Sequence, residues 1–189
     1  GNVNICSAPG AGIADDKAIY TFMPDIIKFY LGEEPILKNI KTWRCYDIKE
    51  CKYVINNLEK LVVKEVHGSG GYGMLIGSKA SKKELHIFKN KIKKVPDNFI
   101  AQPILSLSTV PIFDKTSLSE RHVDLRPFSL IGHKKFKLVN GALTRVALKK
   151  NSLIVNSSQG GGVKDTWVLA DWFMLSRTAE NLYWTARYL

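Results

Sequence analysis

The chain has 189 residues, 45% of them hydrophobic, enough to bury a core and to exclude disorder. Its 28 lysines and arginines against 17 aspartates and glutamates give a net charge of +11, which favours anionic partners, although lysine runs such as KKELHIFKNKIKK and GHKKFK are the usual make-up of a solvated face. Cys6, Cys45 and Cys51, odd in number and without CxxC spacing, argue against a disulfide framework or a zinc site and for a reducing compartment.

The chain opens with a short strand expected over Val3–Ala8, and the loop PGAG leads into DDKAIYTFMPDIIKFYLG. There Ile19, Phe22, Met23, Ile26, Ile27, Tyr30 and Leu31 recur at helical spacing. Asp15 and Asp16 sit where a helix start favours negative charge, and Gly32 is placed to stop it, so a helix packed by one face is expected. EEPILKNIKTWRCYD is a loop with a short extended piece, and ECKYVINNLEKL is a second helix feeding the strand LVVKEV. A glycine loop follows, then the strand GMLIG and the helix SKKELHIFKNKIKKV, with Ser81 and Glu84 at capping-box spacing. FIAQPIL is the next strand. HVDLRPFSLIG, KFKLVNGALTRVAL and SLIVNSS alternate apolar and polar residues, as strands joined by Gly and Asn turns do. MLSRTAENLYWTARYL carries Leu175, Leu182, Tyr183, Ala186 and Leu189 on one helical face, WVLADWF is a junction, and a second, helical domain is expected from there. The chain begins without methionine and stops inside that apparent helix, which suggests a piece of a longer protein. No run of about 18 apolar residues and no signal-peptide pattern occurs, so a soluble, cytoplasmic chain without a membrane partner is the expectation.

The chemistry centres on LVVKEVHGSGGYGMLIG. Glycines let a backbone approach a ligand closely and take positive φ, so GSGGYG can fold over phosphate oxygens, with Lys64 adding a full charge beside them. The Walker pattern GxxxxGK[ST] is absent and no helix follows at once, which leaves a strand–loop–strand lid. An ordinary glycine-rich hairpin turn is the plainer alternative. A lysine after the first strand (Lys17), a second before the lid (Lys64) and a polar residue within an apolar strand (FIAQPIL) together resemble the parts of an ATP-grasp cleft. His67, His86 and His133 show no metal-ligand spacing.

Over about residues 1 to 169 the chain resembles the circularly permuted ATP-grasp family related to glutathione synthetase and glutathionylspermidine synthetase. The resemblance rests on GAGIADDKAIYTFMPDIIKFYLGEEPIL, LVVKEVHGSGGYGMLIG, FIAQPILSLST, RHVDLRPF, LTRVAL and SLIVNSSQGGGVKDTWVL, in the family's order. It implies an α+β ATP-grasp fold with mixed or antiparallel sheets and flanking helices. It also implies that Lys17 and Lys64 hold the nucleotide phosphates, that Gly68, Ser69, Gly70, Gly71, Tyr72 and Gly73 form the lid, that Gln102 binds the adenine amino group and that Ile104 walls the base. Asn156, Ser158, Gln159, Gly160, Gly161 and Gly162 resemble a second loop that closes over substrate and nucleotide.

Strand alternation puts His122, Asp124 and Arg126 on one face of RHVDLRPF. In a cleft Arg126 would grip a phosphate or carboxylate bidentately while Asp124 orients it or reaches a metal; the alternative is a structural Asp–Arg pair. Arg145 in LTRVAL resembles a substrate-side arginine. The family resemblance implies a ligase in which ATP activates a small peptide or amino-acid-like carboxylate as an acyl-phosphate that an amine captures. Magnesium is the implied metal, with ligands expected from an earlier part of a longer chain. The C-terminal 16 residues resemble the opening helix of an alpha-E domain, which implies an alpha-E partner over 170–189 beside the ATP-grasp portion over 1–169. The competing reading is a non-catalytic nucleotide-binding or scaffolding module working with that partner. Nucleic-acid binding is not expected, since neither a stacking platform nor a recognition helix is evident.

Overall fold

The computed structural model describes residues 2, 3, 5, 9–114, 116–132, 135–153, 155 and 161–168. The chain divides into two compact units, Gly1–Ser106 and Leu107–Leu189, each described by itself. The architecture is α+β, with two antiparallel four-stranded sheets. No helix among the described residues is long and apolar enough to cross a membrane.

In the first unit the strand expected over Val3–Ala8 falls mostly outside the described residues, and Val3 and Ile5 lie in no strand. The first expected helix is broken into two 3-10 turns, Ala11–Asp15 and Ile19–Phe22, followed by α1, Met23–Leu31. Pro24 explains the break: it has no N–H to offer Tyr20, so a single helix from Asp16 cannot run through it, whereas the first turn of a helix tolerates it. Asp16 accepts instead from the Ala18 N–H at 2.7 Å. Gly32 ends α1 as expected, at φ +68° with its N–H 3.0 Å from the Lys28 carbonyl. The expected packing of one helical face is not found: no α1 residue is buried, and Phe29 and Tyr30 are 81% and 77% exposed.

The rest of this unit is a sheet of order β1–β4–β2–β3, from Trp43–Arg44, Phe99–Pro103, Leu61–Glu65 and Leu75–Ile76. Period-two alternation sends Leu61, Val63, Leu75, Phe99 and Ala101 to one face, where they form the core with Val54 of α2 (Ile48–Asn56), Leu58, and Ile92 of α3 (Lys82–Lys94). Burying each branched aliphatic side chain there contributes about 1.5–3 kcal/mol. Both helices start on side-chain caps. Asp47 accepts from the Lys49 and Glu50 N–H groups at 2.8 and 2.9 Å, and Ser81 with Glu84 makes the expected capping box. The glycine after β3, Gly77, is buried against the Leu58 carbonyl, which a Cβ would strike at 1.8 Å.

The second unit is a meander of order β5–β6–β7–β8, from Thr109–Asp114, Ser117–Ile131, Phe136–Val146 and Gly162–Thr166. TVPIFD, given no element from the sequence, forms β5; Pro111 is tolerated there because β5 is an edge strand, where a missing donor can face away from the ladder. Asn140–Gly141 makes no turn; it lies inside β7. Between the Pro127–Ala142 and Ser129–Leu138 pairs, two steps of β6 face four of β7, and Gly141 absorbs the irregularity at φ +110°. Nor do the described residues of SLIVNSS form a strand: Ser152, Leu153 and Val155 are irregular, and β8 comes later. Arg121, 5% exposed, ties the unit together through the Asp114 carboxylate (2.8 Å), the Leu148 carbonyl (3.1 Å), the Glu120 carbonyl (2.9 Å) and the Ser119 hydroxyl.

Candidate functional site

The face of the first sheet opposite the core carries the phosphate-site candidates. Alternation places Val62 and Lys64 of β2 on that face, and the register sets Lys64 against Ile100 and Val62 against Gln102 of β4. Lys64 and Gln102 are therefore diagonal neighbours, and the Lys64 ammonium donates to Gln102 Oε1 at 2.8 Å. Gln102 Nε2 donates to the Thr42 hydroxyl at 2.8 Å, and that hydroxyl donates to the Ile40 carbonyl at 3.0 Å. Both polar atoms of the Gln102 side chain, expected to face adenine, are engaged in this chain. Ile104 lies just past the end of β4, half-buried.

Lys17 reaches the same neighbourhood from the turn before Ile19–Phe22. Its backbone N–H lies 3.2 Å from the Val66 carbonyl, and its ammonium donates to the carbonyls of Val66 (3.2 Å) and Gly68. The two ammonium groups feel each other: burial first, and then the Lys17 charge, push the Lys64 pKa below the usual lysine range. No carboxylate among the described residues pairs with either lysine.

Between β2 and β3 the loop Gly68–Gly73 turns back on itself. The Gly68 N–H donates to the Glu65 carbonyl at 3.2 Å and the Tyr72 N–H to that of Ser69 at 3.1 Å. Gly70, Gly71 and Gly73 have φ of +67°, +78° and +67°, which side-chain-bearing residues rarely adopt. At Gly73 a Cβ would also strike the Glu65 carboxylate, at 2.7–2.9 Å. Tyr72 stands exposed on the loop. A shallow cavity of about 390 Å³, lined by residues that include Lys60, Lys82, His86 and Lys89, lies between α2 and α3 and holds none of these groups.

In the second unit Asp124 and Arg145 are paired in register across β6 and β7. Arg145 donates bidentately to Asp124, from Nε to Oδ1 at 3.0 Å and from Nη2 to Oδ2 at 2.6 Å, and Arg126 Nε lies 3.5 Å from the same Oδ2. Partial burial works against the Asp124 carboxylate, but the hydrogen bond and charge of Arg145, with those of Arg126, outweigh it and hold its pKa below the usual value. Arg126 is half-exposed, and His122 turns Nδ1 to the Leu107 carbonyl at 3.1 Å. Gly161 is half-buried, and Gly162 opens β8 opposite Val146. Asn156, Ser158, Gln159 and Gly160, like the helix and domain start expected over 170–189, lie outside the described residues. Thr42 and Gly77 escaped sequence reading, since neither sits in a periodic pattern or a recognisable motif.

The model of the circularly permuted ATP-grasp type 2 family matches residues 1–147. The chain belongs to that family. The uncharacterized protein sll0335 of Synechocystis sp. is 50% identical over 169 residues, covering 89% of this chain and 35% of that protein. Rv2411c of Mycobacterium tuberculosis is 49% identical over 170 residues, 90% of this chain and 31% of its own length. A protein of Frankia alni named putative glutamate–cysteine ligase 2-3 is 44% identical over 168 residues, 89% of this chain and 19% of that protein. This ATP-grasp chain thus spans about a third or less of the length of these curated relatives.

Proposed function

We propose that this chain is the ATP-binding portion of a carboxylate–amine ligase. The observation that carries the reading is the convergence of two lysines, unmatched by carboxylates, at the base of a glycine hairpin. An ammonium has three donors. Lys64 commits one to Gln102 and Lys17 two to backbone carbonyls, so both keep donors for an anion. Lys64 is also held in a surrounding that disfavours its charge until an anion arrives. The residues present therefore fit a polyphosphate. The names of the Frankia relatives support the ligase class, with a small amino-acid-like carboxylate and an amine as substrates.

Bound ATP would transfer its γ-phosphoryl group to the substrate carboxylate with ADP leaving, and attack of the amine on the resulting acyl-phosphate would form the amide and release phosphate. Lys17 and Lys64 bind the phosphates and offset the charge they carry, and the hairpin excludes water from above them. In the second unit Asp124 and Arg145 brace Arg126, whose guanidinium grips a carboxylate or phosphate oxygen pair. Magnesium needs several oxygen ligands. Among the described residues no three His, Cys, Asp or Glu side chains converge to supply such ligands. We place its ligands in the part of the longer polypeptide that this chain does not span. Residues 170–189 open an alpha-E-like helical partner in this reading, on the strength of MLSRTAENLYWTARYL.

The test is ADP release by the full-length polypeptide, screened over candidate acids and amines. Release that requires both an acid and an amine supports the ligase; ATP binding without turnover on any pair opposes it.

A further inference from the structure

We infer that Thr42 is a positioning residue for Lys64, acting through Gln102. The inference rests on the nucleotide reading above and adds to it a residue outside the glycine loop. An ammonium only donates, so Gln102 must turn its oxygen to Lys64 and its nitrogen away. The nitrogen then needs an acceptor, and the Thr42 hydroxyl supplies one because it spends its own proton on the Ile40 carbonyl. A flipped amide would set NH₂ against an ammonium at one end. Thr42 thus fixes the amide polarity, and the amide fixes the ammonium.

The anchor of this chain lies beside the other lysine. Tyr20, three residues after Lys17, accepts from the Ile40 N–H on its hydroxyl at 2.7 Å and from Asn39 Nδ2 on its carbonyl at 2.8 Å. The segment from Asn39 to Thr42 therefore joins the stretch that presents Lys17 to the strand pair that presents Lys64. Thr42 itself is 9% exposed, so water does not readily replace its hydroxyl.

Thr42→Val keeps the shape and removes the hydroxyl; Thr42→Ser keeps the hydroxyl. The experiment has two readouts on the 189-residue chain: NMR signals of the Gln102 side-chain amide and the Lys64 ε-group without nucleotide, and the Kd for ATP by calorimetry. The expected result is that Thr42→Val shifts both sets of signals and raises Kd about tenfold. Thr42→Ser restores both, and Thr42→Val adds nothing once Lys64→Met is present. Should Thr42→Val fold poorly, Gln102→Met cuts the chain one link nearer the lysine and should move the Lys64 signals in the same way. Lys64 signals that stay in place in both variants overturn the inference, whatever ATP does. Signals that respond as described in a chain that binds no ATP uphold the positioning role and overturn the nucleotide reading instead.

Discussion

The two units treat charge in opposite ways. In the first, two ammonium groups sit close together with backbone carbonyls and one amide as partners, and burial presses the Lys64 pKa down. In the second, the guanidinium groups of Arg145 and Arg126 share the Asp124 carboxylate, and Arg121 is held by Asp114. Unmatched like charges cost stability unless a ligand relieves them, whereas an in-register ion pair is satisfied as it stands. The difference teaches that the lysine face carries like charge without a carboxylate beside it, as the proposed phosphate site requires, and that the arginine face is first of all a brace.

The largest expected effect breaks the first unit alone. Gly77→Ala drives a Cβ into the Leu58 carbonyl at the edge of the core and should cost about 3 kcal/mol, the upper range for overpacking. Hydrogen exchange should show protection lost across β2, β3 and β4 but kept across β6 and β7. Next, Lys64→Met should weaken ATP binding by roughly 1.5–3 kcal/mol, the scale of a charged hydrogen bond, while Arg126→Gln should weaken it less. Equal losses from both would erase the contrast between the units.

Asp124→Asn should cost the second unit about 1–3 kcal/mol by leaving Arg145, 15% exposed, without its carboxylate. Its pH signature follows from the lowered Asp124 pKa. The stabilisation is fully present above the unfolded-state value near 3.8 and is lost as pH falls through the lower folded value. Urea melts of wild type should therefore weaken below about pH 4 by more than those of Asp124→Asn. The smallest effect lies at the other end of the scale. Lys64, lowered by burial and by Lys17, opposes folding while it is charged, and that opposition fades as pH rises through its folded pKa towards 10.5. ATP affinity should fall over the same window, with proton uptake on binding that Lys64→Met abolishes.

Much of this was legible in the sequence where the signal was local. Ser81 and Glu84, the stop at Gly32, the alternation of LVVKE and the glycine hairpin all encode their geometry within a few residues. The misreadings arose where a local rule met a long-range one. Pro24 interrupts a continuous apolar period, Pro111 is harmless only because its strand is at an edge, and Asn140–Gly141 serves a bulge instead of a turn. Thr42 was invisible because its partner stands 60 residues away in a strand whose register sequence patterns do not specify.

The most direct measurement is diffraction from crystals of this chain soaked with a non-hydrolysable ATP analogue. The account predicts triphosphate density within hydrogen-bonding distance of both the Lys17 and Lys64 ammonium groups, beneath residues Gly68 to Gly73. Density elsewhere, with the two lysines unmoved and the hairpin clear of the nucleotide, would contradict it.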